Sequence, residues 1–378
     1  MTHDSEIAMH QVERALFDLR RGVPVLVIDE SAGEAALVFP IESISHERLD
    51  ALVEQAGSTP ALTLTAHRLA AMGLDGQESA ASLSLQPGQS MSIEAIYETA
   101  AGATTVPPDG FAAPGPASRS ERAGLALLRR ALLVPAAVTV TVAPERQTTI
   151  EAAVARGELL AVPARLAERC FELGRGMLKR ISEADVPLRE AEQARFVLFR
   201  EPDGLREHLA VLIGEREDWP ESVPVRLHSS CLTGDLFASL RCDCGEQLTR
   251  AVSTIREMGG GVLLYLAQEG RGIGLANKLR AYAIQDQGHD TVEADQRLGF
   301  GDDERRYGVA VDMLRALDIA RIHLLTNNPA KLVALANGGI EVNDNGRLFG
   351  RVTQQNRRYL SAKARRSGHL LQELLGES

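Results

Sequence analysis

Cys231, Cys242 and Cys244 form a C-x10-C-x-C cluster within the stretch CLTGDLFASLRCDC. Thiolates are soft ligands that favour zinc, and three of them leave a fourth position for water. An open site of that kind brings the pKa of a bound water to about 7 and polarises an electrophilic carbon. This is hydrolytic chemistry, such as deamination or ring opening, and the spacing does not choose between them. Two other readings stand beside it. His228 could close a structural Cys3His site, or the three thiols could simply fill core. Core filling fits poorly, because C-D-C places two thiols on a tight turn with Asp235, Arg241 and Asp243 nearby. Cys170 lies in another part of the chain.

Two further stretches are suited to anions. Gln268-Glu-Gly-Arg-Gly-Ile-Gly274 follows an apolar β-rich run and opens a helical one. Free backbone N–H groups and a helix terminus would face an anion there, and Arg271 adds a guanidinium fork. Thr326-Asn-Asn-Pro-Ala-Lys331 has the same strand-to-helix character, with Pro329 suited to a first helical turn. Either could be an ordinary β–α turn. The run Gly299–Arg306 sets three acids against two arginines. It reads as an acid-rich helix start, or as a source of an acid/base (Asp303) and an anion-stabilising or nucleophilic group (Arg305). From Asn345 to Gln372 there are seven Lys/Arg and no Asp or Glu, a solvated helix or a flank to a phosphate site.

The elements that must position these groups follow from pattern. At 378 residues the chain is long enough for two domains. Apolar residues at 44% and charged residues at 24% are globular values and exclude wholesale disorder. A net charge of −10 disfavours nucleic acid as the main partner. The longest apolar runs are about five residues (Val262–Leu266), far from the roughly 20 that cross a bilayer, and no secretory signal is readable. No membrane association and a cytoplasmic location are therefore expected. Residues 10–28 read as helix then strand, with further strands at Ala36–Phe39 and Ala61–Leu64 and a helix at His46–Gln55. Residues 101–120 carry four prolines and three glycines and read as a long loop. An amphipathic segment at Glu121–Leu133, a strand at Val138–Val142 and a helix over Pro163–Ile181 follow. Beyond residue 185, Phe196–Phe199 and His208–Ile213 read as paired strands and Val223–Leu227 as another. Then come helix Gly245–Met258, strand Gly261–Leu266, helices Gly272–Gln287 and Tyr307–Leu317, strand Arg321–Thr326 and helix Pro329–Asn337. The expectation is an α/β (α+β) protein of two domains, 1–180 and 181–378, the second a mixed sheet with flanking helices.

From about residue 185 onward the motifs together resemble GTP cyclohydrolase II. They are RLHSSCLTGD (226–235), LRCDCG (240–245), QEGR (268–271), NKLRAYAIQDQG (277–288), DTVEA (290–294), LGF with DER (298–305) and LLTNNPAK (324–331). The resemblance implies one Zn2+ per subunit on Cys231, Cys242 and Cys244, Mg2+ on the phosphates of GTP, and a homodimer. It implies conversion of GTP to 2,5-diamino-6-(5-phosphoribosylamino)pyrimidin-4(3H)-one, formate and pyrophosphate. Arg226, Leu227, His228, Ser229, Ser230, Gln247, Glu269, Gly270, Arg271, Thr291, Thr326 and Lys331 match GTP-contacting positions. Asp303 matches the proton acceptor, Arg305 the nucleophile on the α-phosphorus, and Tyr282 an aromatic position tied to full ring opening. Guanine would be read by Glu269. Ser230 stands where the family usually has Glu, and His289 where it usually has Tyr. The N-terminal region weakly resembles dihydroxybutanone phosphate synthase, but after Val27-Ile-Asp-Glu30 the chain reads Ser31-Ala-Gly-Glu-Ala-Ala36 instead of the acidic substrate-and-magnesium signature. That implies a non-catalytic domain with a packing, dimerising or regulatory role. A paralogue with another substrate or product, and a non-catalytic nucleotide sensor, are the alternatives.

Overall fold

The computed structural model describes residues 3–74, 80–84, 92–102 and 110–350. Its contacts divide into two compact units: residues 1–173 with 279–302, and residues 174–278 with 303–378. Each is built on a seven-stranded sheet with flanking helices. Among the described residues no helix is long and apolar enough to cross a membrane. Most of the basic stretch 345–372 lies outside the described residues.

The first unit contains β1 (Val25–Asp29), β2 (Glu34–Pro40), β3 (Ala61–Leu64), β4 (Ala81–Ser84), β5 (Gly115–Pro116), β6 (Ala136–Thr141) and β7 (Leu160–Pro163), in the order β5-β4-β3-β6-β2-β1-β7. Among the described residues only β1 and β7 of this sheet pair in parallel. The apolar run in β2 is buried from Ala36 to Phe39, as its β-rich composition demands. The helix Arg119–Arg130 starts inside the stretch expected to be a loop, and β5 pairs with β4 there. Ser118 and Glu121 form a capping box that sets this start. Of the expected 101–120 loop, residues 103–109 lie outside the described residues. The other Glu121 oxygen accepts from Thr139 Oγ1 at 2.8 Å, so the cap is also anchored in the sheet. The segment 279–302 joins this unit through helix Thr291–Arg297. Arg68 Nη1 donates to Arg297 O at 2.9 Å, and Thr65 Oγ1 to Gly299 O at 2.7 Å.

A helix was expected over Pro163–Ile181; the chain instead ends β7 at Pro163, makes only the short helix Ala164–Glu168, and enters a strand at Lys179. Gly174 and Gly176, both with positive φ, break the helical path.

The second unit holds β8 (Lys179–Asp185), β9 (Ala194–Arg200), β10 (Glu207–Ile213), β11 (Val223–Ser229), β12 (Gly261–Leu266), β13 (Arg321–Leu325) and β14 (Glu341–Gly346), ordered β14-β13-β11-β12-β10-β9-β8. β14, β13, β11 and β12 run parallel, while β10, β9 and β8 form an antiparallel meander. Helix Cys244–Glu257 packs Ala251, Val252 and Ile255 on one face, against Val211, Ile213, Leu263 and Leu325. Helices Gly308–Ala316 and Pro329–Asn337 cover the other, where Val225, Leu227, Val262 and Leu264 meet Met313, Leu314 and Leu335. Alternate β-strand residues thus feed two cores. The chain leaves β11 toward one face and β12 and β13 toward the other, the arrangement that opens a crevice at the carboxyl ends of parallel strands.

Candidate active site

Three strands deliver the site. Cys231 follows β11, the turn Glu269–Gly272 follows β12, and Thr326 follows β13. The three cysteine sulfurs lie within 4.8 Å of one another, and Cys231 and Cys242 Sγ are 3.6 Å apart. A tetrahedral zinc with Zn–S of about 2.3 Å would set sulfurs about 3.8 Å apart, so the thiols fit such an ion. Space is made for them by Gly234: a Cβ there would meet Cys242 Sγ at 2.7 Å and Cys231 Sγ at 3.1 Å. Among the described residues no fourth His, Cys, Asp or Glu joins the group. His228, the rival fourth ligand, turns Nε2 to Asp235 (3.1 and 3.2 Å) and stacks on Tyr265. Asp235 also accepts from Tyr265 Oη at 2.8 Å and from the Cys231 amide at 2.9 Å, fixing the backbone of the first cysteine. Burial holds His228 below the ordinary histidine range against the pull of Asp235, favouring neutral imidazole. Burial and Asp235 together push Tyr265 up. Hydrogen bonds from Cys242 and Cys244, with the Lys278 ammonium, hold the Cys231 thiol far below the usual thiol range, while the bond to Cys231 pushes Cys242 up.

Behind the thiols runs a polar chain. Arg226 is buried and donates to Leu325 O (2.9 Å) and Gln247 Oε1 (2.7 Å), and Gln247 donates to Asp243 Oδ2 (2.5 Å). Burial lowers Arg226 to about 10, so it stays cationic at neutral pH. Leu227 is buried in the core, and Ser229 Oγ is buried with no hydrogen-bond partner among the described residues. Ser230 donates its amide to Leu266 O at 2.8 Å.

The turn after β12 is sharply bent, with Gly270 and Arg271 both left-handed at φ 61. It opens helix Leu275–Gln285, three residues later than the expected start at Gly272. Gly272 is required by its neighbour: a Cβ would sit 2.8 Å from the Glu304 carbonyl carbon. Glu304 N donates to Arg271 O at 3.0 Å, so this turn is stitched to the Asp303–Arg305 loop. There Arg305 grips Asp303 in a fork, Nε to Oδ1 at 2.8 Å and Nη2 to Oδ2 at 2.5 Å. Burial pushes Asp303 up, but the Arg305 bonds and charge pull harder, leaving its carboxyl below the ordinary carboxylate range. Lys331 is buried, donates to Leu227 O at 2.7 Å and lies over the Tyr307 ring, as Arg305 does. Thr326 Oγ1 accepts from Asn328 N at 3.0 Å, and Asn328 caps helix Pro329–Asn337 through Ala330 N. Tyr282 lies in helix Leu275–Gln285 and Thr291 begins helix Thr291–Arg297, both in the segment grouped with the first unit.

Glu269, expected at guanine, already has protein partners. Its Oε2 accepts from Leu232 N at 2.6 Å, and its Oε1 from Lys278 Nζ at 2.7 Å and Gly270 N at 3.2 Å. Lys278 and Asp235 are the site residues that spacing alone did not single out for a role. Lys278 lies inside the stretch expected as the helix Gly272–Gln287, and its partners Cys231 and Thr233 are 47 and 45 positions away in sequence.

In the first unit, the end of β1 carries an internal ion network. Asp29 accepts from Ser31 (2.5 Å) and Arg119 (3.3 Å), and Arg119 also binds Glu168 through two bonds of 2.9 and 2.8 Å.

A half-parallel sheet with thiols, a glycine turn and an Asp–Arg pair at its carboxyl edge has the architecture of an α/β enzyme. The profile of one family, GTP cyclohydrolase II, matches residues 179–347. A GTP cyclohydrolase-2 of Xylella fastidiosa is 42% identical over 357 residues, covering 94% of this chain and 86% of the relative. That of Azospirillum brasilense is 43% identical over 373 residues, covering 97% and 95%. The riboflavin biosynthesis protein RibBA of Phocaeicola vulgatus is 31% identical over 402 residues, covering 97% and 98%. Among solved structures, RibBX, a two-domain 3,4-dihydroxy-2-butanone 4-phosphate synthase from A. baumannii, aligns with a TM-score of 0.34 at 18% identity over 90% of this chain and 99% of that one. The chain belongs to the GTP cyclohydrolase II family, hydrolases of riboflavin biosynthesis.

Proposed function

We propose that this chain is a zinc-dependent GTP cyclohydrolase II that takes GTP, with three waters, to 2,5-diamino-6-(5-phosphoribosylamino)pyrimidin-4(3H)-one, formate and pyrophosphate. The observation that carries the reading is the trio of sulfurs at the carboxyl end of β11, spaced for one ion and lacking a fourth protein ligand among the described residues. Bound there, zinc would supply Lewis-acid activation for hydrolysis at an electrophilic ring carbon.

The chain's own groups do the rest. The Arg226–Gln247–Asp243 hydrogen-bond chain braces Asp243, between the second and third cysteines, against β11. Arg271, on the turn after β12, and Lys331, in the first turn of helix Pro329–Asn337, supply positive charge for phosphates, and Mg2+ arriving with the nucleotide would offset phosphate charge. Thr326 shapes the second turn, Ser229 and Ser230 line the strand end beside Cys231, and Gly270 admits close approach of backbone. Asp303, ionised at neutral pH, accepts a proton. If Arg305 attacks the α-phosphorus, an N–P bond forms as the bond to pyrophosphate breaks, a proton passes to Asp303, and water later cleaves N–P. The ordinary gap of about 9 pKa units between arginine and aspartate makes that transfer steep. The fork between the two groups favours a second reading, in which Arg305 stays protonated and stabilises charge at the α-phosphate. Tyr282 and Thr291 keep their roles from the family resemblance alone. The N-terminal unit is proposed to be non-catalytic, since Arg119 and Ser31 occupy the carboxylate at the end of β1. A homodimer in the cytoplasm completes the proposal.

The test is incubation of purified protein with GTP, Mg2+ and Zn2+. One formate and one pyrophosphate per GTP are expected. A formamido product indicates the paralogue reading, and GTP binding without turnover the sensor.

A further inference from the structure

Lys278 has no role in the proposed reaction, yet it is buried to 7% exposure beside the thiols. Its ammonium has three protons to give. Three of its partners are acceptors at close range: Cys231 Sγ at 3.2 Å, Thr233 Oγ1 at 3.0 Å and Glu269 Oε1 at 2.7 Å. Each lies within hydrogen-bond reach, so no proton need be held for a substrate. The stem is held as firmly: Gly270 crosses so close that a Cβ on it would sit 2.9 Å from Lys278 Cβ. Glu269 carries the connection onward, because its other oxygen takes the amide of Leu232, the residue after the first cysteine.

We infer that Lys278 is a positioning residue of the metal centre. It donates an N–H···S bond to Cys231 and, through Glu269, clamps the first-cysteine loop to the turn after β12. The inference rests on the metal reading above. Its physical logic is charge and order. Three thiolates around a divalent ion leave one net negative charge, and a buried negative charge is costly unless it is paired. Lys278 supplies the pairing from a fixed direction and withdraws electron density from one sulfur. Glu269 serves as the far anchor of this clamp, and base reading would have to share its remaining acceptor capacity.

The experiment uses the full chain, stripped with chelator and reloaded, as wild type, Lys278→Met, Lys278→Gln and Lys278→Arg. Zinc affinity is read by competition with a chromophoric chelator, and the sulfur-to-metal charge-transfer band by loading Co2+. Lys278→Met should bind zinc about 10–100-fold more weakly, the usual cost of losing a partner to a metal ligand. Its cobalt band should move to lower energy, because the sulfur becomes more electron-rich. Lys278→Arg should recover part of both. Should the methionine variant not fold, Lys278→Gln decides, with an expected loss of about tenfold. Wild-type affinity and band position in the folded Met or Gln variant overturns the inference while leaving the metal reading intact. A wild type that takes up no metal overturns both.

Discussion

Gly234→Ala tests the sulfur cluster without removing a ligand. The added Cβ would lie 2.7 Å from Cys242 Sγ, 3.0 Å from Cys244 Cβ and 3.1 Å from Cys231 Sγ. Ordinary carbon contacts need about 3.5–4.0 Å, so at least one sulfur must move by about 1 Å. Metal–ligand distances tolerate about ±0.2 Å, so that displacement breaks the three-sulfur geometry. Forced overpacking of this kind costs about 1–3 kcal/mol, which is about 5- to 150-fold in zinc affinity if the strain is felt mainly in the loaded state. The assay pairs zinc competition with thermal unfolding, each with and without chelator. Wild type should lose stability on chelation, and Gly234→Ala should start lower and lose less. Gly308→Ala is the control: an added Cβ there would meet nothing within 4 Å and its φ is unremarkable, so zinc affinity should be unchanged. A Gly234→Ala protein that binds zinc like wild type would refute the reasoning.

Four further outcomes are expected. Asp303→Asn should cut turnover about 10²–10⁴-fold with little change in GTP binding, read from kcat and KM separately. The pKa of Asp303 is depressed, so its contribution to stability is present above the unfolded value of about 3.9 and lost as pH falls through the folded value. The urea midpoints of wild type and Asp303→Asn should therefore differ at pH 6 and converge below about pH 4. Glu121→Ala removes a capping box and one partner of the Thr139 hydroxyl, which keeps Thr63 at 2.8 Å, and should destabilise by about 0.5–2 kcal/mol in thermal unfolding while leaving zinc content unchanged. Ribulose 5-phosphate should give no synthase turnover in a coupled assay, because the β1 carboxylate is tied to Ser31 and Arg119.

What the sequence made legible is what carries a strong local signal. The thiol spacing predicted a cluster that the fold assembles, and strand Ala61–Leu64 appears with the expected bounds because all four residues are buried. Pro329 sits in the first turn of its helix, behind the Asn328 cap. The edges of the second sheet were not legible. β8 reads Lys-Arg-Ile-Ser-Glu-Ala-Asp and is exposed at all seven positions, so no alternation of apolar residues marks it. β14, Glu-Val-Asn-Asp-Asn-Gly, is similarly poor in β-formers and is held by backbone pairing to β13. The helix start at Arg119 had a readable signal, the S-x-x-E of Ser118 and Glu121, hidden by the prolines before it. Glu269 was visible as a site residue, but the bond from Lys278 to Cys231 was not, since those two lie 47 positions apart.

The interrupted path of the chain governs how the molecule can be dissected. Residues 279–302 leave the second unit and complete the first, so severing the polypeptide near residue 180 does not yield two self-sufficient halves. A fragment beginning there would carry Val292, Ala294, Leu298 and Phe300, all buried in the intact protein, without the Arg68 and Thr65 side chains that fasten their backbone. Those side chains would be stranded in the other fragment, where the Arg68 guanidinium would lose one of its carbonyl acceptors. Co-expression of the two pieces, rather than either alone, is the route to a native-like assembly.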